Sequence, residues 1–160
     1  MTGYAAGNAA ARVAADNRES LERYYSASYI DRMIRSGDSG SEENTSVPAV
    51  YPTIGGGVYR ALWNICEDFR CGIRVDIRDI PIKQETVEIC NHFDIDPYTL
   101  DDESVHLMVS SELQPLIDHL TAHGIKAAPI GYLTEERARM IVIGDNVRYL
   151  NRPQIQEENT

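Results

Sequence analysis

Apolar residues recur at helical spacing through the first third of the chain and turn to strict alternation beyond residue 72. The alanine-rich run Ala9 to Ala15, followed by Leu21, Tyr24, Tyr25, Tyr29, Ile30, Met33 and Ile34, predicts two or three helices with one apolar side, interrupted near Asp16-Asn17 and Ser26. At this spacing the tyrosines read as core and interface. Ser36 to Ser46 is small, polar, acidic and without period, which predicts a mobile loop between this helical lead and the body.

Helical spacing resumes with Val58, Leu62, Ile65, Cys66 and Phe69, directly after three consecutive glycines, Gly55 to Gly57. Cys71-Gly72 is expected to stop that helix. Ile73, Val75 and Ile77 alternate with Arg74, Asp76 and Arg78, the pattern of a half-buried strand. After a bend at Asp79 to Ile82, Gln84 to Phe93 predicts a helix with Val87, Ile89, Cys90 and Phe93 inward, ended by Asp94 to Pro97. Val105, Leu107 and Val109 make a second strand. Ser111 and Gln114 resemble a capping box for a helix through Leu113, Leu116, Ile117 and Leu120, with Gly124 as its C′ residue. Strands over Ile125 to Tyr132 and Ala138 to Ile143, a turn at Gly144 to Asn146 and a short strand over Val147 to Leu150 complete the pattern.

These elements predict an α+β sandwich, a mixed β-sheet with helices covering one face, preceded by N-terminal helices. The expected organisation is N-terminal helices over 1–36, a flexible polar loop over 37–50, a core over 51–153 and a loose tail over 154–160. At 160 residues the chain is expected to be one domain.

A formal net charge of −10, from 15 basic and 25 acidic residues, speaks against a phosphate-backbone binder, so no nucleic acid partner is expected. No apolar stretch has spanning length, and the start lacks a basic region followed by an apolar one, so no membrane association and a soluble cytoplasmic protein are expected. Cys66, Cys71 and Cys90 are odd in number and lack paired metal-ligand spacing, the pattern of reduced thiols.

Glycines at a helix start suit two purposes. They let an anion approach the unpartnered first amides and the positive end of the dipole, or they let the helix pack tightly against a sheet. His119 and His123 lie four apart, as zinc ligands do, but no third ligand stands at a matching spacing, which leaves them as surface residues. His106 is expected on the outer side of its strand. The acidic group Asp94, Asp96, Asp101, Asp102 and Glu103 fits magnesium or, alternatively, the ordinary carboxylates of a helix end and turn.

Thr53-Ile-Gly-Gly-Gly-Val58, Ala61-Leu-Trp-Asn-Ile-Cys-Glu67, Gly72-Ile-Arg-Val-Asp76, Ile80-Pro-Ile82, Asp94-Ile-Asp-Pro-Tyr98 and His123-Gly-Ile-Lys-Ala-Ala-Pro-Ile-Gly131 with Thr134, in this order, resemble a known family. It is the C-terminal domain of the aminoimidazole ribonucleotide synthetase (PurM-like) superfamily, on its HypE-like, AIR synthase related, hydrogenase-maturation branch. The resemblance implies a domain that, in two-domain enzymes, closes over an ATP and magnesium site carried by an N-terminal domain, which also forms most of the dimer interface. Such enzymes phosphorylate an oxygen of an amide or related group.

Carried over by position, the resemblance marks Thr53, Gly55, Gly56, Gly57 and Ser104 as phosphate or ligand contacts, with no catalytic and no metal residue. Two positions depart from the family. Tyr51 stands where many members have an aspartate, and a phenol with a reference pKa of about 10 is no anionic magnesium ligand at neutral pH. Glu103-Ser104 stands where the family usually has glycine followed by serine or threonine, and Glu103 adds negative charge beside any phosphate.

With the chain starting where such a C-terminal domain starts, the expectation is a stand-alone module, not catalytic by itself, that serves binding or assembly and holds no cofactor alone. The alternative is one subunit of a split ATP-dependent enzyme, with ATP and magnesium on a separate N-terminal-type chain; a remnant with only its fold retained is the third reading. The expected partner is a second copy or that N-terminal-type domain, met through the sheet's uncovered face or the helices around Tyr25 and Tyr29.

Overall fold

The fold is built around α4 (Gly57–Phe69), which lies between two sheets in a computed structural model that describes residues 1–35 and 49–153. The loop expected over 37–50 falls almost wholly outside the described residues, and the tail over 154–160 wholly so. Before α4 come α1 (Gly7–Asp16), α2 (Arg18–Leu21), α3 (Ala27–Arg35) and β1 (Ala49–Thr53). After it come β2 (Gly72–Asp76), α5 (Gln84–His92), β3 (Asp102–Val109), α6 (Leu113–Ala122), β4 (Gly131–Thr134), β5 (Arg139–Ile143) and β6 (Asn146–Tyr149). Single 3-10 turns at Ile77–Asp79 and Pro97–Thr99 follow β2 and precede β3. The α+β class is as the pattern predicts.

The strands divide into two sheets where one was expected. β1 and β3 pair antiparallel, and a four-stranded mixed sheet runs β4-β2-β5-β6, with β2 and β5 parallel and the other pairs antiparallel. α4 presents Val58, Ala61, Leu62, Ile65 and Cys66 to Val105 and Leu107 of one sheet and to Ile73, Val75 and Ile141 of the other. Burying each of the larger side chains stabilises the fold by about 1.5–3 kcal/mol. A second cluster joins Ala10 and Ala14 of α1, Leu21, and Ile30 and Met33 of α3 to Ile89 and Cys90 of α5. The N-terminal helices therefore pack on the body through α5. The first residues are tied in as well, with Thr2 N–H donating to His106 O at 2.9 Å and Gly3 N–H to Lys126 O at 2.9 Å.

Several local expectations are corrected. α4 ends one residue before Arg70, which takes the left-handed conformation at φ 52°. Gly72 serves a different need, because a Cβ there would come within 1.9 Å of Glu136 O across the sheet. The capping box at Ser111 and Gln114 does not form: Glu112 is the N-cap residue, the Ser110 hydroxyl accepts the Glu112 N–H, and Gln114 donates to Asp118. The strand expected over Ile125 to Tyr132 is reduced to one bridge, Thr2 with Ala127, followed by β4. His106 is half-buried and faces Pro52 in the pairing of β1 with β3.

Candidate functional site

Gly55 and Gly56 lie in the turn between β1 and α4 and Gly57 opens α4, all at positive φ (79°, 135° and 66°), which residues with a side chain rarely adopt. At Gly57 space is limiting too, since a Cβ would stand 2.5 Å from Tyr98 O. The turn aims three successive amides at one point, and there lies the Asp101 carboxylate. Gly55 N–H donates to Oδ2 at 2.9 Å, while Gly56 and Gly57 N–H donate to Oδ1 at 2.7 and 3.2 Å. Burial raises the Asp101 pKa, but the three amides outweigh it and hold the carboxyl below its ordinary value. The three amides converge on an anion, and that anion is the chain's own carboxylate.

Asp102 does the same for another helix. It is 1% exposed, and its Oδ2 accepts the Asn8 N–H at 2.8 Å while Oδ1 accepts from Asn8 Nδ2 (3.1 Å), Ser104 N–H (3.0 Å) and Ser104 Oγ (2.6 Å). Neither Ala6, before α1, nor Gly56, before α4, supplies a capping side chain. Two adjacent aspartates therefore cap two helices from a distance, each placing negative charge at the positive end of a helix dipole.

The other sequence candidates have internal partners as well. Thr53 is buried, with its Oγ1 hydrogen bonded to the backbone oxygens of Asp102 (2.7 Å) and Val105 (3.1 Å). Ser104 is buried with its hydroxyl on Asp102 and accepts from Asn8 Nδ2 at 2.8 Å. The structure brings Thr53, the glycine turn and Ser104 to one end of β1 and β3, but their polar groups point at protein atoms. The acidic residues disperse: Asp96 caps the 3-10 turn by accepting the Tyr98 N–H, Asp94 lies beyond the end of α5, and Glu103 is exposed. Among the described residues no group of three or more His, Cys, Asp or Glu is placed to hold a metal ion. His119 and His123 are exposed with ring centroids 4.4 Å apart. The Tyr51 hydroxyl donates to Asp68 Oδ2 at 3.0 Å, and burial, followed by Asp68, pushes its pKa up to about 12. Asn8 and the capping roles of Asp101 and Asp102 escape sequence reading; the one signal for them is two helix starts without a capping residue.

Away from the turn, an apolar cavity of about 530 Å³ opens between α4, β3 and β4, lined by Leu62, Phe69, Leu107, Leu113 and Leu133 among others. The four-stranded sheet also carries an outward row. In register across β4, β2, β5 and β6 stand Tyr132, Arg74, Met140 and Tyr149, on the face opposite Val75 and Ile141. Tyr132 is 61% and Tyr149 65% exposed.

This arrangement of two sheets around a central helix, with a glycine turn opening that helix, is a PurM-like fold. Among solved structures, E. coli HypE, a hydrogenase maturation protein, matches with a TM-score of 0.60 at 20% identity, over 71% of this chain and 38% of that one. A chain of a HypE-HypF complex matches with a TM-score of 0.60 at 17% identity, over 85% of this chain and 48% of that one. Thiamine-monophosphate kinase from Stenotrophomonas maltophilia matches with a TM-score of 0.61 at 13% identity, over 89% of this chain and 48% of that one. The chain spans less than half the length of each, and at these identities the likeness is one of fold. No family model matches the chain, and no curated protein matches it.

Proposed function

We propose that this chain is a PurM-like C-terminal-type module that serves binding or assembly and carries out no ATP chemistry by itself. The observation that carries the reading is the outward row Tyr132, Arg74, Met140 and Tyr149, in which both tyrosines are exposed and Arg74 and Met140 are half-buried between them. Tyrosine, arginine and methionine are the residues enriched in protein interfaces, and such a row is costly to leave in water. The occupied glycine turn supports the second half of the reading. A phosphate entering it must displace Asp101 or stand beside its charge, and the neighbouring hydroxyls of Thr53 and Ser104 are already hydrogen bonded.

The partner is a second copy or a separate N-terminal-type domain. Light scattering at micromolar concentration is expected to give an assembly larger than one chain, or a recovered partner, which Tyr132→Asp with Tyr149→Asp abolishes while the chain stays folded. A wild-type monomer that recovers no partner contradicts the reading.

One observation favours a second reading, a subunit of a split ATP-dependent enzyme that phosphorylates an amide or carbamoyl oxygen. The seat already has the geometry to hold two anionic oxygens, so a nucleotide and its magnesium, carried by a partner chain, would bring a phosphate able to replace the carboxylate. HypE is known in complex with ATP. Hydrolysis that appears only with a partner, and falls when Gly56 is substituted, separates this reading from the first.

A further inference from the structure

Three helices of this chain end in the same way. Arg70 after α4, Asp94 after α5 and Gly124 after α6 adopt the left-handed conformation. The amide that follows each then reaches back five residues: Cys71 N–H to Cys66 O at 3.2 Å, Ile95 N–H to Cys90 O at 2.9 Å and Ile125 N–H to Leu120 O at 2.9 Å. Such an ending commonly brings the side chains of the two bonded residues together. After α5 and α6 at least one member of the pair is a hydrocarbon side chain. After α4 both are thiols.

The 3.2 Å hydrogen bond keeps the Cα atoms of Cys66 and Cys71 within about 7 Å, the outer limit for a disulfide. The two thiols differ in surroundings. Cys66 is buried in the core under α4, and burial pushes its pKa up to about 11 although the Arg139 guanidinium pulls the other way. Cys71 is half-buried at the start of the chain's passage into β2.

We propose that Cys66 and Cys71 form a thiol–disulfide switch driven by a small disulfide of the glutathione type. The Cys71 thiolate attacks one sulfur of the small disulfide, whose S–S bond breaks to release one thiolate. Cys66 then gives its proton to water, attacks the Cys71 sulfur and expels the second thiolate. The chain loses two electrons and two protons, and the small disulfide is reduced to two thiols. The cross-link clamps the end of α4 to the approach of β2. The same helix end carries the Arg139–Glu67 ion pair and the Tyr51–Asp68 hydrogen bond, so oxidation stiffens the junction of α4 with both sheets.

The test is incubation of the purified chain with oxidised glutathione, followed by alkylation, trypsin digestion and mass spectrometry. Cleavage after Arg70 puts the two cysteines on separate peptides, so a bridge appears as a linked pair of peptides. The expected result is that pair without retained glutathione, in wild type and in Cys90→Ala. Cys66→Ala should stop with glutathione on Cys71, and Cys71→Ser should form neither bridge nor adduct. Because Cys66 lies in the core, the wild-type map decides if its variant does not fold. Glutathione persisting on wild-type Cys71, a bridge that includes Cys90, or no reaction in the folded chain under conditions where the urea-unfolded chain reacts would each overturn the proposal.

Discussion

Asp101 and Asp102 are adjacent in sequence and act on different helices, Asp101 on the amides before α4 and Asp102 on those of α1. Asp101→Ala should cost about 1 kcal/mol, the usual loss for removing a helix cap, read as a lower urea midpoint. The pH dependence has a defined sign. A carboxyl held below its ordinary value stabilises the fold in full above that value, about 3.9, and loses the contribution as pH falls through the lower folded value. Stability of the variant should therefore fall less steeply than that of the wild type below about pH 4, and parallel curves would contradict the capping role. In sequence these residues merge into an acidic group open to a magnesium reading. What separates them is a contact across 44 to 46 residues, which no local spacing encodes. Only the absence of capping residues at Ala6 and Gly56 hints that distant acceptors are needed.

At the scale of elements, alternation and helical spacing made β2, β3, β5, α4, α5 and α6 legible, since each has one buried side and the period records it. Endings were less so. Gly124 announces its left-handed turn, whereas Arg70 and Asp94 adopt that conformation in spite of their side chains. Arg70→Gly should accordingly raise stability by about 0.5–1 kcal/mol, the relief of left-handed strain less the extra freedom of glycine in the unfolded chain. A higher urea midpoint at unchanged slope checks this, and a lower midpoint would show that the Arg70 side chain contributes more than its backbone costs. The capping box failed by one position: with Glu112 as N-cap, Gln114 is the second helical residue and not the third. The long strand over Ile125 to Tyr132 failed at Pro129, which has no N–H to donate and separates the bridge at Ala127 from β4 at Gly131.

For the whole molecule, the order of motifs along the chain made the PurM-like fold legible, although the division into two sheets was not, because pairing partners lie far apart in sequence. Tyr25 and Tyr29, anticipated as interface, stack on each other at 5.5 Å and pack against the second core cluster, while Tyr132 and Tyr149 of the sheet row are exposed. Among the described residues no helix is long and apolar enough to cross a membrane. A carboxylate of the chain itself fills the seat that the glycine turn offers, and the proposed reading is that the chain holds no nucleotide by itself. The most direct test of that reading is the melting temperature of the isolated chain during titration with magnesium and ATP, with inorganic phosphate alongside, because a ligand that binds the native state must raise that temperature by mass action. The account predicts a flat titration for the wild type with both; a saturable rise with magnesium and ATP, abolished by substitution of Gly56, would contradict it.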